Sequence, residues 1–124
     1  ALLLREAAYR CIGEGWTHVV PHVSFAHWYQ NELAPMLANG LPAFVGGRPS
    51  LMASVLQARA LWLVGVCGGE LPREAWGGAL GLCARHMAAQ DLVVALTAVG
   101  STLALCAQVL DEQGVLEQAD AAAR

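Results

Sequence analysis

Two histidines four residues apart, His18 and His22, have the spacing of a metal-binding pair. A structural zinc site needs four ligands, and no cysteine or carboxylate completes a set around these two. Pro21 also lies between them, which predicts two loop histidines instead of a metal site. Cys83 and His86 are three residues apart, but Cys83 falls on the apolar side of a predicted helix, which indicates a core position.

Motifs of hydrolases and nucleotide-binding proteins are missing from the sequence. Ser24, Ser50 and Ser54 have no G-x-S-x-G context, so helix capping and solvation account for them. The pair Gly46-Gly47 is followed by Arg48-Pro49, where a phosphate-binding loop has Lys-Ser/Thr. We therefore expect a protein that is not an enzyme, with no catalytic residue, no cofactor and no metal.

The cysteines do not form a recognisable redox or metal motif. Cys11, Cys67, Cys83 and Cys106 lie far apart and make no CxxC pair. Free cysteines are among the most buried residues, so the sequence predicts buried free thiols, as in a reducing compartment. The wide spacing leaves a disulfide open as an alternative.

Composition indicates a single all-α domain. The chain has 124 residues, of which 56% are hydrophobic and 14% are charged, and alanine, leucine and glycine dominate.

There is no lysine and no basic patch, which argues against direct nucleic-acid binding. The net charge of −3 would suit a basic polypeptide partner. Because residue 1 is alanine and not methionine, we expect residues 1–124 to be one segment of a longer chain.

Hydrophobic periodicity and helix-stop signals predict five helices, at residues 2–18, 25–38, 51–67, 72–88 and 91–109. Ser24, Ser50 and Asp91 are the expected N-caps. Residues 40–49 are rich in glycine and proline and predict a loop without strands. Pro35 should bend the second helix within the turn before it, because its ring clashes with the carbonyl of Asn31. Gly114 should break the chain after the fifth helix.

The fifth predicted helix has one conspicuous apolar stripe, formed by Leu92, Leu96, Val99, Leu103, Cys106 and Leu110. We expect this stripe in the core, with Leu96, Val99 and Leu103 buried against Trp62, Leu63, Val66, Leu80 and Cys83. The uncharged run is also nearly long enough to cross a membrane. Its flanks are acidic, however, and it contains threonines, a serine and a glutamine, which favours a buried helix and no membrane insertion.

Long and shorter helices alternate, which indicates a repeat. Arg59 and Ala95 hold equivalent places 36 residues apart, and a two-helix unit of roughly 40 residues is the period of HEAT and armadillo proteins. The sequence therefore predicts an α-solenoid, a right-handed stack of antiparallel helix hairpins, with a closed five-helix bundle as the alternative. Such a segment should expose apolar area at both ends, through residues 2–12 and part of residues 92–110.

Four stretches resemble consecutive pieces of importin-β superfamily nuclear transport receptors (karyopherins), most closely the importin-eleven type: LLLREAAYRCIG, FAHWYQNELAPML, QARALWLVG and QDLVVAL. One pattern of that family is matched by Arg59, Trp62, Leu63 and Gly65, a second by Trp28, Leu33 and Pro35, and a third by Asp91, Leu92, Val93 and Val94. Ala95 departs from the family pattern, which has arginine there.

The resemblance implies an internal HEAT-repeat segment of about two to two and a half repeats. The parent receptor would carry protein cargo through the nuclear pore under control of the small GTPase Ran, contact nucleoporins, and shuttle between nucleus and cytoplasm. No Ran-contact or cargo-contact residue is assigned by these motifs. A generic HEAT-repeat scaffold or adaptor for protein–protein interaction is the alternative, followed by a small helical membrane protein.

Overall fold

The computed structural model describes residues 2–39, 44–45, 48–49 and 51–123, with the side chains of 44–45, 48–49 and 115–116 left out. The described chain is mostly helical, which confirms the all-α prediction. Its helices are α1 (Leu2–Glu14), α2 (Trp16–Val19), α3 (residues 25–39), α4 (Leu51–Cys67), a 3-10 turn (Gly68–Glu70), α5 (Arg73–His86) and α6 (Leu92–Ala123).

Two of the predicted N-caps are confirmed. The Ser24 hydroxyl accepts a hydrogen bond of 3.3 Å from the His27 amide, and Asp91 Oδ1 accepts bonds of 2.9 and 3.2 Å from the amides of Val93 and Val94. Each side chain thereby satisfies amides that the first turn of a helix leaves without a partner. The third predicted cap, Ser50, lies outside the described residues.

The ends of the first and last helices differ from the prediction. The helix expected at 2–18 is interrupted at Gly15, so that α1 ends at Glu14 and the four-residue α2 follows. The break expected at Gly114 is wrong, because α6 continues to Ala123. A single glycine costs a helix roughly 1 kcal/mol relative to alanine. Since alanine, glutamate and glutamine surround Gly114, their helix propensity outweighs that cost.

The helix α3 is irregular just before Pro35. It consists of Phe25–Trp28, a π-helical turn at Tyr29–Leu33, and Ala34–Asn39. The amide of Ala34 donates to the carbonyl of Tyr29, five residues back. Proline lacks an amide hydrogen, and a wider turn accommodates this more readily than a regular α-helical ladder. The disturbance therefore lies where the sequence predicts it, while the bend of the axis stays a prediction.

The loop predicted at residues 40–49 contains a minimal hairpin, so the expectation of no strands there is wrong. Strands β1 (Phe44–Val45) and β2 (Arg48–Pro49) pair antiparallel, with Phe44 opposite Pro49 and Val45 opposite Arg48. The other residues of this stretch lie outside the described ones. Two residues per strand are too few to form a sheet with a buried face. Apart from Leu71, which precedes α5, the described core lies on helices.

The central helix of the fold is α4, which packs against α1 on one side and α6 on the other. Glu6 and Gly13 of α1 contact Arg59 and Trp62 of α4. Leu61 of α4 and Gly68, the first residue of the 3-10 turn after it, contact Ser101 and Leu105 of α6. In both contacts, the later residue of one helix touches the later residue of the other. The helices α1, α4 and α6 therefore run in the same direction. Among the described residues, α1 and α6 do not pack extensively on each other.

The helices α5 and α3 return in the opposite direction. Arg73 at the start of α5 pairs with Glu112 late in α6, at 3.0 Å, and Met87 at the end of α5 contacts Thr102. The other of the two, α3, contacts both α4 and α5. Arg85 of α5 fixes the end of α3 by donating to the carbonyls of Leu37 and Ala38, at 3.0 and 2.6 Å. These bonds satisfy carbonyls that a helix end otherwise leaves unpaired.

Candidate functional site

The helix α6 presents to solvent the stripe that the sequence predicts to be core. Leu92, Leu96, Leu103 and Leu110 are between 62% and 70% exposed, and Val99 and Cys106 are also exposed. The buried side of α6 is formed instead by Val94, Ala98, Ser101 and Leu105. The predicted burial of Leu96, Val99 and Leu103, and likewise of Val66 on α4, is therefore wrong. Leu63 and Cys83 are buried as predicted, and Trp62 and Leu80 are partly buried.

The close approach of α4 and α6 explains this reversal. A Cβ atom on Gly65 would lie 3.0 Å from Ser101 Oγ and 3.1 Å from Ser101 Cα, and one on Gly68 would collide with the side chain of Leu105. The Ser101 hydroxyl donates to the carbonyl of Leu61. Because the two helix axes are this close, α6 can pack against α4 only with the side that carries small residues. The side with the leucine stripe is too bulky to fit there and faces solvent.

The exposed stripe of α6, from here on called the apolar strip, consists of Leu92, Leu96, Val99, Leu103, Cys106 and Leu110. It is about 27 Å long at 1.5 Å per residue. No charged residue occurs between Leu92 and Leu110. The hydroxyls of Thr97 and Thr102 donate to carbonyls within the helix, both at 2.7 Å. The strip residues follow one another in steps of four and three, which is the spacing of the apolar positions along which two helices pack in a coiled coil.

A second apolar area lies at the other side of the fold. On α1, Leu3 and Leu4 are 65% and 76% exposed, and Cys11 is exposed as well. We call these residues the α1 face from here on. Leu4 and Cys11 lie opposite buried Tyr9 and Gly13, and Leu3 lies beside the exposed pair Arg10 and Glu14. The expectation that apolar area is exposed at both ends is confirmed for the described residues.

Three of the residues that carry the family resemblance lie where α4 meets its neighbours. Arg59 Nε is 2.8 Å from Glu6 Oε1 on α1, and the Arg59 guanidinium lies 5.0 Å from the centre of the Trp62 ring. Gly65 faces α6. Ala95, which replaces the arginine of the family pattern, is half-buried and makes no charged contact of its own. The two helix contacts of α4 therefore differ in chemistry.

A polar cluster joins α1 to α3, and sequence spacing alone does not reveal it. Glu32 accepts hydrogen bonds from Arg5 at 3.0 Å, from Tyr9 at 2.5 Å and from Trp28 at 2.8 Å. Burial opposes the charge on Glu32, but these bonds outweigh burial and lower its pKa. Burial, together with the bond to Glu32, raises the pKa of Tyr9 to about 12. Arg5 also donates to the Tyr9 hydroxyl at 3.1 Å, and only the pairs Arg5–Tyr9 and Trp28–Glu32, each one helical turn apart, could be inferred from the sequence.

The histidines and serines considered for chemistry are not brought together. His18 lies in α2 and His22 in the turn after it, and within the described ranges no three His, Cys, Asp or Glu side chains are placed to hold a metal ion. His86 Nδ1 lies 2.8 Å from the carbonyl of Leu82, on its own helix. Ser24 caps α3, and Ser54 is a half-buried residue of α4.

The four thiols are free, and they divide into two classes. Cys67 and Cys83 are buried, which raises the pKa of the first to about 12 and of the second to about 11. Cys11 and Cys106 are exposed. The prediction of buried thiols is right for the first pair and wrong for the second. Cys106 belongs to the misassigned stripe of α6, and Cys11 lies on the outward side of α1.

Surface depressions in the described part of the chain offer no convergent set of reactive groups. One of about 780 Å³ lies beside His27, Trp28, Asn31 and Glu32. Its carboxylate is already bonded to Arg5 and Tyr9, and the Asn31 amide donates to the carbonyl of His27. Another, of about 410 Å³, follows the contact of α4 and α6 and is lined by Trp62, Gly65 and Thr97. The apolar strip is therefore the stronger candidate for a functional surface.

Comparison with protein-family models, with curated proteins and with solved structures finds no significant match to this chain. Among the residues that the structure describes, two helical stretches could cross a membrane by length and composition, Leu51–Glu70 and Leu92–Ala123. Half of the first is buried inside the protein, as in the core helix of a soluble fold, whereas most of the second is uncovered.

Proposed function

We propose that this chain is a stretch of α-solenoid from a nuclear transport receptor of the importin-β type, where it serves as a scaffold for protein binding. The observation that carries the proposal is the order of the helices. The helices α1, α4 and α6 lie side by side in one direction, and α3 and α5 return between them. We call α1, α4 and α6 the long row, after α4 and α6, and α3 and α5 the short row; α1 itself has only 13 residues.

A stack of antiparallel helix hairpins requires parallel neighbouring helices such as α1, α4 and α6. The two helices of each hairpin run in opposite directions, so the equivalent helices of successive hairpins are parallel. Leu61 and Ser101, which touch across α4 and α6, are 40 residues apart, close to the repeat period inferred from Arg59 and Ala95. A closed bundle would instead pack the first helix against the last, which is at odds with the separation of α1 and α6.

The exposed apolar areas support the same architecture. An internal repeat buries its apolar faces only against its neighbours. The apolar strip and the α1 face lie on the outward sides of the two outer helices of the long row. Both areas are therefore suited to contact further helices.

The assignment to a transport receptor rests on the resemblance of the four sequence stretches. Arg59, Trp62 and Gly65 support it, because each is used where two long helices meet. In this proposal the partners are Ran in its GTP form, protein cargo and nucleoporins, the receptor moves between nucleus and cytoplasm, and the chain itself performs no catalysis.

The test is a titration of Ran-GTP, with Ran-GDP as the control, into the 124-residue chain and into a longer receptor that contains it. We expect tight, GTP-dependent binding by the longer receptor and weak binding by the chain alone, because the grip of this family uses repeats along the whole superhelix. If a folded, monomeric receptor fails to bind, the transport assignment is wrong and the general HEAT-type scaffold replaces it.

A membrane protein is the second candidate, favoured by the two long apolar helices. The directions of these helices argue against it. Because α4 and α6 are parallel, α5 would have to cross the membrane in the opposite direction between them. With 14 residues, α5 is about 21 Å long, which is too short to span the hydrocarbon core of a bilayer. It also carries the exposed charged residues Arg73, Glu74 and Arg85. Flotation with neutral vesicles decides: we expect the protein to stay in the aqueous fraction, and co-flotation would favour the membrane assignment.

A further inference from the structure

We propose that a depression between α3 and α5 is a binding subsite for an uncharged amide group of a partner polypeptide. In this subsite the Tyr29 hydroxyl donates a hydrogen bond to the amide carbonyl, and the Glu74 carboxylate accepts one from the amide nitrogen. The inference goes beyond the proposed function and does not depend on it, because two helices of this chain form the depression by themselves.

The depression lies between the N-terminal parts of the two helices, whereas their C-terminal ends are joined by the bonds from Arg85 to α3. Its volume of about 300 Å³ is at the lower end of the range for ligand sites, which suits one side chain or one peptide unit. Most of its wall is apolar and is formed by Ala26, Leu71, Pro72 and Ala75. A polar occupant must therefore find its partners at Tyr29, Gln30 or Glu74, which complete the lining.

Tyr29 is 7% exposed, and its hydroxyl has no hydrogen-bond partner among the described residues. No side-chain oxygen or nitrogen in the described part of the chain is both fully enclosed and unpartnered, so this oxygen opens to the depression that Tyr29 lines. Burial, and to a smaller extent the thiol of Cys83, raises the pKa of Tyr29, so the phenol stays protonated and can donate at neutral pH. An occupant that excludes water must offer an acceptor, because an unpaired buried hydroxyl costs free energy.

Glu74 supplies an acceptor on the facing helix. It lies in the first turn of α5, is exposed, and makes no ion pair with any described residue, since the neighbouring Arg73 pairs with Glu112 at 3.0 Å. An ionised carboxylate can only accept hydrogen bonds. The depression therefore combines a donor on α3 with an acceptor on α5. This pair is complementary to an amide group, whose carbonyl accepts and whose nitrogen donates.

Charged groups fit this depression less well. A carboxylate or phosphate would meet the like charge of Glu74. An ammonium or guanidinium group has no acceptor for the phenol hydrogen of Tyr29. It would also lie close to the first turns of α3 and α5, where the helix dipole is positive. An uncharged amide avoids both penalties and uses the donor and the acceptor together.

The experiment is a titration of the complete 124-residue chain with capped tripeptides, followed by NMR of the backbone amides. The probes have the form acetyl-Gly-X-Gly-amide, with glutamine, leucine, glutamate or lysine as X, so all of them share one main chain. We expect the glutamine peptide to shift the signals of residues 26–30 and 71–75. Its dissociation constant should be on the order of millimolar and about tenfold below those of the other three, because only its side chain pairs with both polar groups.

Substitutions separate binding from stability. Tyr29→Phe should weaken binding of the glutamine peptide about tenfold, but it should leave the unfolding temperature unchanged or higher, because an unpaired hydroxyl does not stabilise the free protein. Glu74→Ala should also weaken binding about tenfold, whereas Glu74→Gln keeps an acceptor oxygen and should weaken it less than about threefold. Tyr9→Phe is the matched control: its hydroxyl bonds to Glu32, outside the depression, so binding should be unchanged.

Equal binding of the glutamine and leucine peptides, weakened by Tyr29→Phe, would support the amide subsite and assign it to the main chain of the partner. Preference for the lysine peptide, lost in Glu74→Gln, would overturn the proposal in favour of a cation site. So would a Tyr29→Phe variant that binds like the unmodified chain, or a folded chain whose signals at 26–30 and 71–75 respond to no peptide. The Ran-GTP titration does not use these peptides, so this proposal and the proposed function can fail separately.

Discussion

The two contacts made by α4 differ in what holds them. Toward α1, the contact uses charge and ring interactions: Glu6 pairs with Arg59 at 2.8 Å, and the Arg59 guanidinium lies 5.0 Å from the Trp62 ring, which itself packs against Gly13. Toward α6, the contact uses proximity, with Gly65 and Gly68 against Ser101 and Leu105. The contact of α4 with α1 is therefore made by long polar and aromatic side chains, whereas its contact with α6 is so close that it leaves no room for larger side chains.

This difference predicts different sensitivities to mutation. A partly exposed ion pair contributes little net free energy, because desolvation and side-chain ordering offset its attraction. A close contact tolerates added volume poorly, because packed helices yield only in small steps. Substitutions toward α6 should therefore cost more than substitutions toward α1.

The largest expected effect separates the two sides of α6. Leu105→Ala should lower the free energy of unfolding by about 2–5 kcal/mol, because Leu105 is 1% exposed and its loss leaves a cavity beside Gly68. Leu103→Ala, at a site 66% exposed, should change it by less than about 0.5 kcal/mol. Urea titration at low protein concentration measures both. Equal costs would mean that the stripe expected from the sequence is buried after all.

The next effect concerns the glycine side of α4. Gly65→Val should cost about 1–3 kcal/mol, since the added atoms meet Ser101 and push α6 away. Gly77→Val is the control, because it places the same side chain where nothing lies within 4 Å. The control should be neutral or slightly stabilising. Thermal unfolding compares the two, and a neutral Gly65→Val would contradict the close approach of α4 and α6.

A smaller effect is expected on the α1 side. Glu6→Gln should cost about 1 kcal/mol, because the two side chains are 15% and 26% exposed, intermediate between a surface pair and a buried one. Glu14→Gln, which disrupts the exposed pair with Arg10, should cost about 0.3 kcal/mol. A double-mutant cycle of Glu6→Gln with Arg59→Met isolates the coupling. Zero coupling would show that the pair does not hold α1.

The last effect appears only outside the neutral range, as a dependence on alkaline pH. The pKa of Tyr9 is raised from 10.0 to about 12 by burial, so its contribution to stability is complete below pH 10 and is lost as pH rises toward 12. Tyr9→Phe should therefore flatten the decline of unfolding free energy in that window. The buried thiols of Cys67 and Cys83 add to the decline from about pH 9 upward and remain in the variant. An unchanged slope for Tyr9→Phe would contradict the burial of the phenol.

The sequence predicts where the helices lie, apart from the ends of the first and last, but not the faces they use. Apolar spacing and caps located α4 to the residue and placed Ser24 and Asp91 correctly, because those signals are local. The buried side of α6 depended on how near α4 comes, which is set by Gly65 and Gly68 some 35 residues away. Contacts such as Arg5 with Glu32, 27 residues apart, leave no periodic trace either. The candidate surface was therefore identified as a stripe but assigned to the wrong environment.

The π turn of α3 has a consequence for chain length. A turn closed by a bond to the fifth residue back holds one residue more than an α-helical turn. Deleting exposed Gln30 would therefore let the ladder close as a regular α-helix while Phe25 and Trp28 stay in phase with Leu33 and keep their ring contacts with Trp16 and Tyr9. The same deletion in the regular helix α4 would rotate one half of that helix against the other by about 100°. Related chains should therefore tolerate the loss of one residue in this turn of α3 and not in α4.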